Sequence, residues 1–328
     1  MKIIAFFNNK GGVGKTSLVY HLAYMFAEMG RKVLAVDLDP QANLTSMFLD
    51  DERLIELWEQ NQGYTIVDGL DPLMKRTGDI LALEPEPIID TLSLIPGNLA
   101  LSRFEDLLSE NWAKCLDGDE AAFRVITAFY RIILQAAGTA DIVLIDVGPN
   151  LGAINRSALL AAQYVVIPLA PDLFSLQGLR NLGPTLRDWR KGWKKRLEEF
   201  PESASFSLPS GEMNALGYVI MQHSVRESSP VKAFLRWMHR IPEVFRQSVL
   251  SETGSDVFLP EADPYNLALL KHYRSLMPMA MDARKPMFYL KPADGAIGAH
   301  VGAVRACHKD FRLLAESIEA SIAAKTAD

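Results

Sequence analysis

The sequence predicts an α/β fold: a doubly wound, mostly parallel β-sheet with helices on both faces. Short apolar runs of strand length recur along the chain, and segments with helical periodicity separate them. The runs are continuous rather than alternating, as expected for strands buried on both faces of a parallel sheet. A length of 328 residues would hold one large domain or two small ones. Because no long linker or internal repeat divides the chain, we expect one domain over residues 1–328.

The N-terminal segment predicts a strand–loop–helix–strand unit. Residues 3–7 form an apolar run, and a glycine-rich loop follows. Apolar residues then recur every four positions, which predicts a helix over residues 17–29 with a C-terminal cap at Gly30. Residues 32–37 form the next apolar run. Such a unit is expected to have a right-handed crossover.

The later elements follow from the same patterns. We expect helices with loops over residues 50–86 and a surface loop over 200–211. Further strands are predicted at residues 91–95, 141–146, 164–169, 216–221 and 256–259. Further helices are predicted at residues 100–108, 120–137, 154–162, from about 176 into a basic stretch, and over the amphipathic segment 309–323.

Composition excludes several classes of protein. Hydrophobic residues make up 49% and charged residues 23% of the chain, which excludes a disordered or fibrous protein. Two cysteines and six histidines without ligand spacing exclude a disulfide framework and predict no zinc site. The apolar N-terminus is too short for a signal peptide, so we expect a cytoplasmic protein. A net charge of −6 argues against a protein that coats nucleic acid over its whole surface, but it allows a local basic patch.

The strongest motif is Lys10-Gly11-Gly12-Val13-Gly14-Lys15-Thr16, which stands between the first strand and the first helix. It fits the phosphate-loop pattern except that Asn9 occupies the position of the first glycine. Glycines let successive backbone N–H groups turn toward a phosphate at the positive end of a helix. The Lys15 side chain would reach the β- and γ-phosphates, and the Thr16 hydroxyl would bind Mg²⁺.

The extra lysine, Lys10, is the informative departure from that pattern. With Asp37-Leu38-Asp39-Pro40-Gln41 and the strand ending in Asp146, it resembles the deviant Walker A ATPases of the ParA/MinD family. Within the family, the Asp-Pro-Gln sequence resembles that of ParA partition proteins. Because the chain begins directly with the first strand, we expect it to lack the N-terminal DNA-binding extension of the longer ParA proteins. The resemblance is clear to about residue 185, and the part from about 186 onward diverges from the family.

The resemblance implies roles for individual residues. Lys10, Lys15 and Asp39 are implied to be catalytic, with Lys10 reaching the nucleotide of a second subunit and Asp39 activating water. Thr16, Asp37 and Asp146 are implied to lie at Mg²⁺, because acids at strand ends face the crevice of an α/β sheet. The implied cofactors are ATP and Mg²⁺. Besides Lys10, the implied cofactor contacts are Gly11, Gly12, Val13, Gly14, Lys15, Thr16 and Ser17, and near the adenine Met221, Gln222 and Pro260.

Two departures from the family affect this assignment. Gly148 precedes Pro149 where the family usually has another residue. The Ile-Pro-Arg segment that the family has after its last strands is absent, and Leu259-Pro260-Glu261 stands at its expected place.

A basic segment supplies a candidate DNA-binding surface. Its basic residues are Arg187, Arg190, Lys191, Lys194, Lys195 and Arg196. They would either form a solvated helix face or contact the phosphate backbone without reading bases. Trp189 and Trp193 lie four residues apart and are expected to pack on the domain. The C-terminal helix lacks the positive face of a membrane anchor, so we expect it to dock on the domain and predict no membrane partner.

Two functions are compatible with these features, and a third is excluded. The first is a ParA-like Mg²⁺-ATPase that dimerises on ATP, binds DNA non-specifically near the nucleoid and positions a plasmid, chromosome region or other cargo. A ParB-like or other cargo-adaptor protein would stimulate its hydrolysis. The alternative is a nucleotide-gated regulatory or assembly switch that acts through protein contacts without DNA. A relative of the nitrogenase iron protein is excluded, because Cys115 and Cys307 cannot supply the cluster ligands.

Overall fold

The chain folds around one mixed, mostly parallel sheet. The computed structural model describes residues 1–60, 62–221, 235–253, 258–271, 273 and 275–327. Within these residues the strands are β1 (Lys2–Phe6), β2 (Val33–Asp37), β3 (Glu86–Ile89), β4 (Leu92–Ile95), β5 (Ile142–Asp146), β6 (Tyr164–Leu169), β7 (Asn214–Met221) and β8 (Asn266–Leu270). Their spatial order is β3-β4-β2-β5-β1-β6-β7-β8, and β3 alone of these eight pairs antiparallel. The predicted doubly wound α/β class is confirmed.

Helices cover both faces of the sheet. Those whose bounds both lie in the described part of the chain are α1 (Lys15–Glu28), α2 (Asn43–Phe48), α3 (Asp51–Trp58), α4 (Ile66–Met74), α5 (Phe104–Lys114), α6 (Glu120–Ile126), α7 (Ala128–Ala137), α8 (Ala153–Ala161), α9 (Leu173–Glu198), α10 (Ile241–Phe245), α11 (Leu276–Ala283) and α12 (Ala299–Ala327). None of these described helices is long and apolar enough to cross a membrane.

Alternation along the central strand produces two cores. In β1, Ile3 and Ala5 pack into the core on one face, and Ile4 and Phe6 pack into the core on the other. The second core also takes the C-terminal helix α12, which buries side chains at four-residue spacing there. The expected docking of this helix is therefore found.

Two predicted elements, a helix and a strand, differ from the structure. The predicted helix over residues 120–137 is two helices, because Thr127 has a non-helical conformation (φ −96°, ψ 6°) between them. The predicted strand over 256–259 is wrong: residues 258 and 259 are not in a strand, and residues 256 and 257 lie outside the described part. The last strand is β8, and Pro260 begins a 3₁₀ turn before it.

A hairpin at the sheet edge was not predicted. Strand β3 contains Pro87, which argues against a central strand but is tolerated at an edge, where no ladder hydrogen bond is needed from its nitrogen. The predicted helices with loops end at residue 86 and the next predicted strand begins at residue 91, so no element was predicted for most of β3.

Candidate functional site

The predicted site residues meet at the carboxyl ends of the central strands. The register pairs Asp146 at the end of β5 with Phe6 of β1 on one side and with Asp37 of β2 on the other. The loop that follows β1 runs directly into α1 at the same edge. The crevice at this edge is where open α/β sheets bind their ligands.

The loop over residues 10–16 needs its glycines for conformation. Gly12 (φ 72°) and Gly14 (φ 82°) are in the left-handed region, which strains residues with a side chain. A Cβ at Gly14 would also lie 3.0 Å from the Met221 thioether methyl, so Met221 borders the loop. Val13 is buried, whereas Ser17 lines the cavity in front of the loop. The N-terminal amides of α1 thus face an open space suited to an anion.

Lys15 brings a buried positive charge to this loop. Its side chain is 7% exposed, and Nζ lies 3.5 Å from the Lys10 carbonyl oxygen. Burial lowers the pKa of Lys15, while the negative charges of Asp146 and Asp39 act in the opposite direction. An ammonium held in this way is poised to bind a second anion.

Asp146 is the least satisfied polar group of the site. It is fully buried, and neither carboxylate oxygen has a hydrogen-bond partner among the described residues. Burial, and then the charges of Asp37 and Asp39, raise the pKa of Asp146 well above its usual value, and Thr16 and Lys15 oppose this only in part. An unpaired buried carboxylate is costly unless a cation compensates it. Asp146 and the Thr16 hydroxyl are oxygen donors of the type that Mg²⁺ prefers, so the residues fit the predicted metal.

Asp37 uses its oxygens within the fold. Oδ2 accepts hydrogen bonds from the Thr45 backbone N–H (2.8 Å) and hydroxyl (2.7 Å), and Oδ1 accepts one from the Asp39 N–H (3.2 Å). Burial raises the pKa of Asp37 to about 6. A Cβ on Gly97 would lie 2.9 Å from its Cγ, so only glycine fits there. Asp37 therefore holds the loop that follows β2 against the start of α2. Its predicted position at the metal ion stays a prediction.

Asp39 lies at the cavity, beside the glycine loop. Its carboxylate is 7% exposed, and Oδ1 accepts a hydrogen bond from the Gln41 N–H (3.0 Å). The turn is closed by the Ala42 N–H, which donates to the Asp39 carbonyl oxygen (2.8 Å). Because Gly11, Gly12 and Asp39 line the same cavity, the carboxylate stands at its anion-binding end.

Lys10 is paired within its own chain. Its ammonium forms an ion pair with Asp172, the N-cap of α9, and lies 5.9 Å from the centre of the Phe174 ring. Asp172 also accepts a hydrogen bond from the Ser175 N–H (2.8 Å), which caps the helix. Both side chains of the ion pair are about one-third exposed (29% and 37%), so the pair lies at the surface beside the loop.

A cavity of about 800 Å³ extends from the loop toward α11. Its far end is lined by Tyr20, Met47, Met277, Ala280 and Met281, and its rim by Arg284 and Lys285. None of the residues at this far end was predicted from the sequence to contact a nucleotide. Arg284 donates to the Leu49 carbonyl and to the Asp51 carboxylate (2.8 Å), which ties the end of α11 to the start of α3. This apolar end is suited to a flat heterocycle.

The three predicted adenine contacts differ in their positions relative to the cavity. Met221 lies beside the glycine loop, whereas Gln222 falls outside the described residues. Pro260 is not among the residues that line the cavity; its carbonyl accepts a hydrogen bond from the Asn266 side chain (2.8 Å). Because the last strand is β8, the segment that follows it starts at Lys271, and α11 lies in that segment. α11 therefore lines the cavity whereas Pro260 does not, and the adenine contact of Pro260 stays a prediction.

A buried histidine joins α1 to the C-terminal part of the chain, and the sequence analysis assigned it no role. His21 is fully buried and stacks on Phe311 with ring centres 5.0 Å apart. Nδ1 lies 2.7 Å from the Ser17 carbonyl and so carries the proton, while Nε2 accepts from the Met287 N–H (3.1 Å). Burial lowers the pKa of His21 to about 4, so the ring is neutral at neutral pH.

The basic segment of α9 is only partly available to a ligand. Arg196 is 6% exposed, its guanidinium carbon lies 3.7 Å from the centre of the Trp112 ring, and its Nε donates to the Trp112 carbonyl (2.6 Å). It shares the buried helix face with Trp189 and Trp193 at i, i+4 and i+7, which leaves little of its side chain available to DNA. Its role as a DNA contact stays a prediction. Both tryptophans pack on the domain, as predicted.

The other five basic residues of α9 divide into two groups. Arg187 and Arg190 are half-buried, and Arg187 donates to the Ser248 carbonyl (2.5 Å). Lys191, Lys194 and Lys195 are exposed. Within the basic segment, residues 187–196, the surface available to a polyanion is thus mainly three lysines.

Known proteins resemble this chain in sequence and in fold. Residues 1–199 match the family described as AAA domain. The chromosome-partitioning ATPase Soj of Thermus thermophilus is 33% identical over 194 residues, 59% of this chain and 65% of the relative. A crystal structure of a Corynebacterium diphtheriae protein superposes with a TM-score of 0.66 at 27% identity, covering 87% of this chain and 97% of that chain. A putative plasmid partition protein from Borrelia burgdorferi, bound to AMPPNP, has the same fold with a TM-score of 0.58 at 18% identity, covering 96% of this chain and 97% of that chain.

The match to curated relatives covers differing parts of their length. The first four of them are matched over 82%, 62%, 43% and 65% of their own chains.

Proposed function

Because the chain belongs to the AAA domain family and is a ParA-type P-loop ATPase, we propose that it hydrolyses ATP with Mg²⁺ and cycles between a monomer and an ATP-bound dimer. In the dimer it binds DNA without sequence preference and positions a cargo, and a partner protein stimulates hydrolysis. The observation that carries this proposal is the buried, unpartnered Asp146 carboxylate beside Lys15 at a glycine loop.

The residues of the site divide the chemistry among them. The loop amides and Lys15 hold the β- and γ-phosphates, while Thr16 and Asp146 hold Mg²⁺. The metal neutralises charge on the phosphates when it is bound. Asp39 orients the attacking water from the γ-phosphate end of the cavity. The base lies at the apolar end, against the thioethers of Met277 and Met281.

Dimerisation explains the position of Lys10. In the single chain its ammonium is held by Asp172, so it does not reach its own nucleotide site. Leu173 and Phe174 follow Asp172 and are 48% and 73% exposed, as expected for residues that a second copy covers. Release of Lys10 from Asp172 would let it cross this contact to the nucleotide of the other copy.

Binding to DNA rests on the exposed lysines of α9. Three lysines neutralise few phosphates, but two copies side by side double the number of counterions released. The proposal therefore requires the dimer for tight binding. A net charge of −6 per chain adds to this requirement, because the rest of the surface repels DNA.

The alternative is a nucleotide-gated switch that acts on proteins alone. The burial of Arg196 favours it, since this reduces the predicted patch, and exposed Asp188, Glu198 and Glu199 flank the remaining lysines. The two functions differ in one measurement: retention on non-specific duplex DNA at low salt with ATP, with ADP and without nucleotide. Retention with ATP alone supports the partition function. A protein that dimerises on ATP and ignores DNA supports the switch.

A further inference from the structure

Gly148 stands in the loop between β5 and α8, where the family usually has another residue. Its φ is outside the left-handed region, so its backbone conformation does not require glycine. The space around it explains the absence of a side chain. A Cβ at this position would lie 3.3 Å from Oδ1 of Asp39 and 3.7 Å from Nδ2 of Asn150. A side chain at Gly148 would therefore project between a hydrogen-bond acceptor, Asp39 Oδ1, and a hydrogen-bond donor, Asn150 Nδ2.

The orientation of the Asn150 amide follows from its other contacts. Its Oδ1 accepts hydrogen bonds from the Gly152 N–H (2.9 Å) and from Nδ2 of Asn155 (3.1 Å). Both partners are donors, which places the oxygen on that side and the NH₂ group on the side of Gly148.

Asn155 holds this loop in position. It is 1% exposed, and its Nδ2 also donates to the carbonyl oxygens of Gly148 (2.8 Å) and Asn150 (2.6 Å). The loop lies against the phosphate-binding loop, since a Cβ on Gly11 would be 3.9 Å from Cγ of Pro149. The gap at Gly148 therefore opens near the end of the cavity assigned to the γ-phosphate.

We propose that the attacking water occupies the gap over Gly148, donating a hydrogen bond to Asp39 Oδ1 and accepting one from Asn150 Nδ2. The direction in which a Cβ would project passes between these two groups, 3.3 Å from Asp39 Oδ1 and 3.7 Å from Asn150 Nδ2, so a water on this side of Gly148 can hydrogen-bond to both. This assignment rests on the proposed ATPase function and adds Asn150 to it as a catalytic residue.

The step is a simple displacement. The water oxygen forms a bond to the γ-phosphorus as the bond between phosphorus and the β–γ bridging oxygen breaks. ADP leaves with that electron pair. One water proton passes to Asp39 and from there to the released phosphate, which regenerates the carboxylate. The Asn150 amide keeps a water lone pair fixed by its hydrogen bond, so the other lone pair points at the phosphorus.

A first test fills the gap. Gly148→Ala adds one methyl group in an accessible backbone conformation, and we expect it to slow single-turnover ATP hydrolysis by about tenfold or more, because a misplaced water loses part of the ~100-fold or greater contribution of a general base. ATP affinity with Mg²⁺ should change less than about twofold, since the methyl group displaces water rather than phosphate. The control is Gly302→Ala on α12, where a Cβ meets nothing within 4 Å of the described atoms.

A second test removes only the donor. Asn150→Asp keeps the oxygen that accepts from the Gly152 and Asn155 groups but replaces the NH₂ group with an oxygen. We expect about tenfold slower hydrolysis at pH 8. The ratio of variant to wild-type rate should rise as the pH falls from 8 to 5.5, because the negative charge of nearby Asp39 favours protonation of the introduced carboxyl, which restores a donor in a growing fraction of molecules. A purely structural role of Asn150 would leave both the rate and this ratio unchanged.

The possible results distinguish a wrong position of the attacking water from a wrong assignment of the ATPase function. If Asp39→Ala abolishes hydrolysis while Gly148→Ala and Asn150→Asp react like wild type, the water position is wrong and the ATPase assignment stands. If the wild type does not hydrolyse ATP, or Asp39→Ala is as active as wild type, the proposed function itself fails. Should Gly148→Ala lower the unfolding midpoint sharply, Asn150→Asp alone decides.

Discussion

At the scale of single residues, the site is defined by charges that the fold buries without partners. Lys15 and Asp146 are both removed from water, and each shifts the protonation of the other toward the charged form. Neighbours such as Thr16 offset the rise in the pKa of Asp146 only in part. A ligand that carries both phosphate and a divalent cation would satisfy the lysine and the carboxylate together.

We predict that Lys15→Ala lowers ATP affinity by about 100-fold or more, equal to about 3 kcal/mol, because it removes a charged hydrogen-bond donor from a buried anion site. Titration with a fluorescent ATP analogue measures the change. Lys32→Ala, at the opposite end of strand β2, is the matched control and should bind like wild type. Equal affinity of Lys15→Ala and wild type would contradict the phosphate-loop assignment.

His21 predicts a dependence of stability on pH. Its pKa is about 4 in the fold and 6.5 when exposed, so the unfolded chain binds more protons between these values. The unfolding free energy should therefore fall as the pH is lowered from 6.5 to 4, by up to about 3 kcal/mol from this residue.

Comparison with His21→Gln isolates that contribution from Asp37, whose raised pKa has the opposite effect. Urea unfolding at pH 7 and at pH 4.5 would measure both proteins. If the loss of stability between the two pH values is the same in the variant and in wild type, the histidine is not its cause.

At the scale of secondary-structure elements, α9 has a buried face and an exposed face with different roles, and residues of the two faces alternate in the sequence. Its buried face carries Trp189, Trp193 and Arg196, while its exposed face carries Lys191 and the adjacent lysines. Residues of opposite function alternate along the chain because 3.6 residues make one turn. A charge run in a sequence therefore overstates the charge that a helix presents to a ligand.

We predict that changing Lys191, Lys194 and Lys195 to Glu weakens ATP-dependent DNA binding on every sequence. The slope of log affinity against log salt should flatten by about 3 per chain, one counterion per lost phosphate contact. Filter binding or anisotropy at several salt concentrations measures this slope. Dimerisation on ATP should be retained.

Lys75, Lys291 and Lys325 are exposed lysines on other elements, and their combined change to Glu is the control. Normal DNA binding by the α9 variant would show that its lysines are only a solvated face.

At the scale of the whole molecule, the strand order brings distant segments to one edge of the sheet. Strands β1, β2 and β5 lie side by side although they are separated along the chain, and their ends supply the loop, Asp37 and Asp146. The ion pair between Lys10 and Asp172 lies at this edge and connects the site to the exposed start of α9. In the proposed function, the Lys10 side chain couples nucleotide binding to association with a second copy.

We expect Lys10→Ala to bind ATP but to stay monomeric with ATP and Mg²⁺ in light-scattering measurements, with slow hydrolysis. Asp172→Asn is its counterpart, because asparagine keeps the N-cap of α9 but loses the ion pair. It should dimerise at a lower protein concentration than wild type. Dimerisation of Lys10→Ala at the wild-type concentration would show that Lys10 does not act across the interface.

The sequence by itself determined the fold class, the phosphate loop and the acidic strand ends. These features are local: a phosphate is held by consecutive backbone amides, and a strand buried on both faces is a continuous apolar run that ends in a polar residue. The tertiary structure decided which residues face one another across long separations. Arg196 is buried against Trp112, 84 residues away, whose carbonyl oxygen accepts a hydrogen bond from its Nε. Helix α11 and the glycine loop line one cavity although they lie far apart in the chain. The gap at Gly148 has meaning only because Asp39 and Asn150 flank it. Such contacts depend on strand order and helix packing, which leave no periodic trace in the chain.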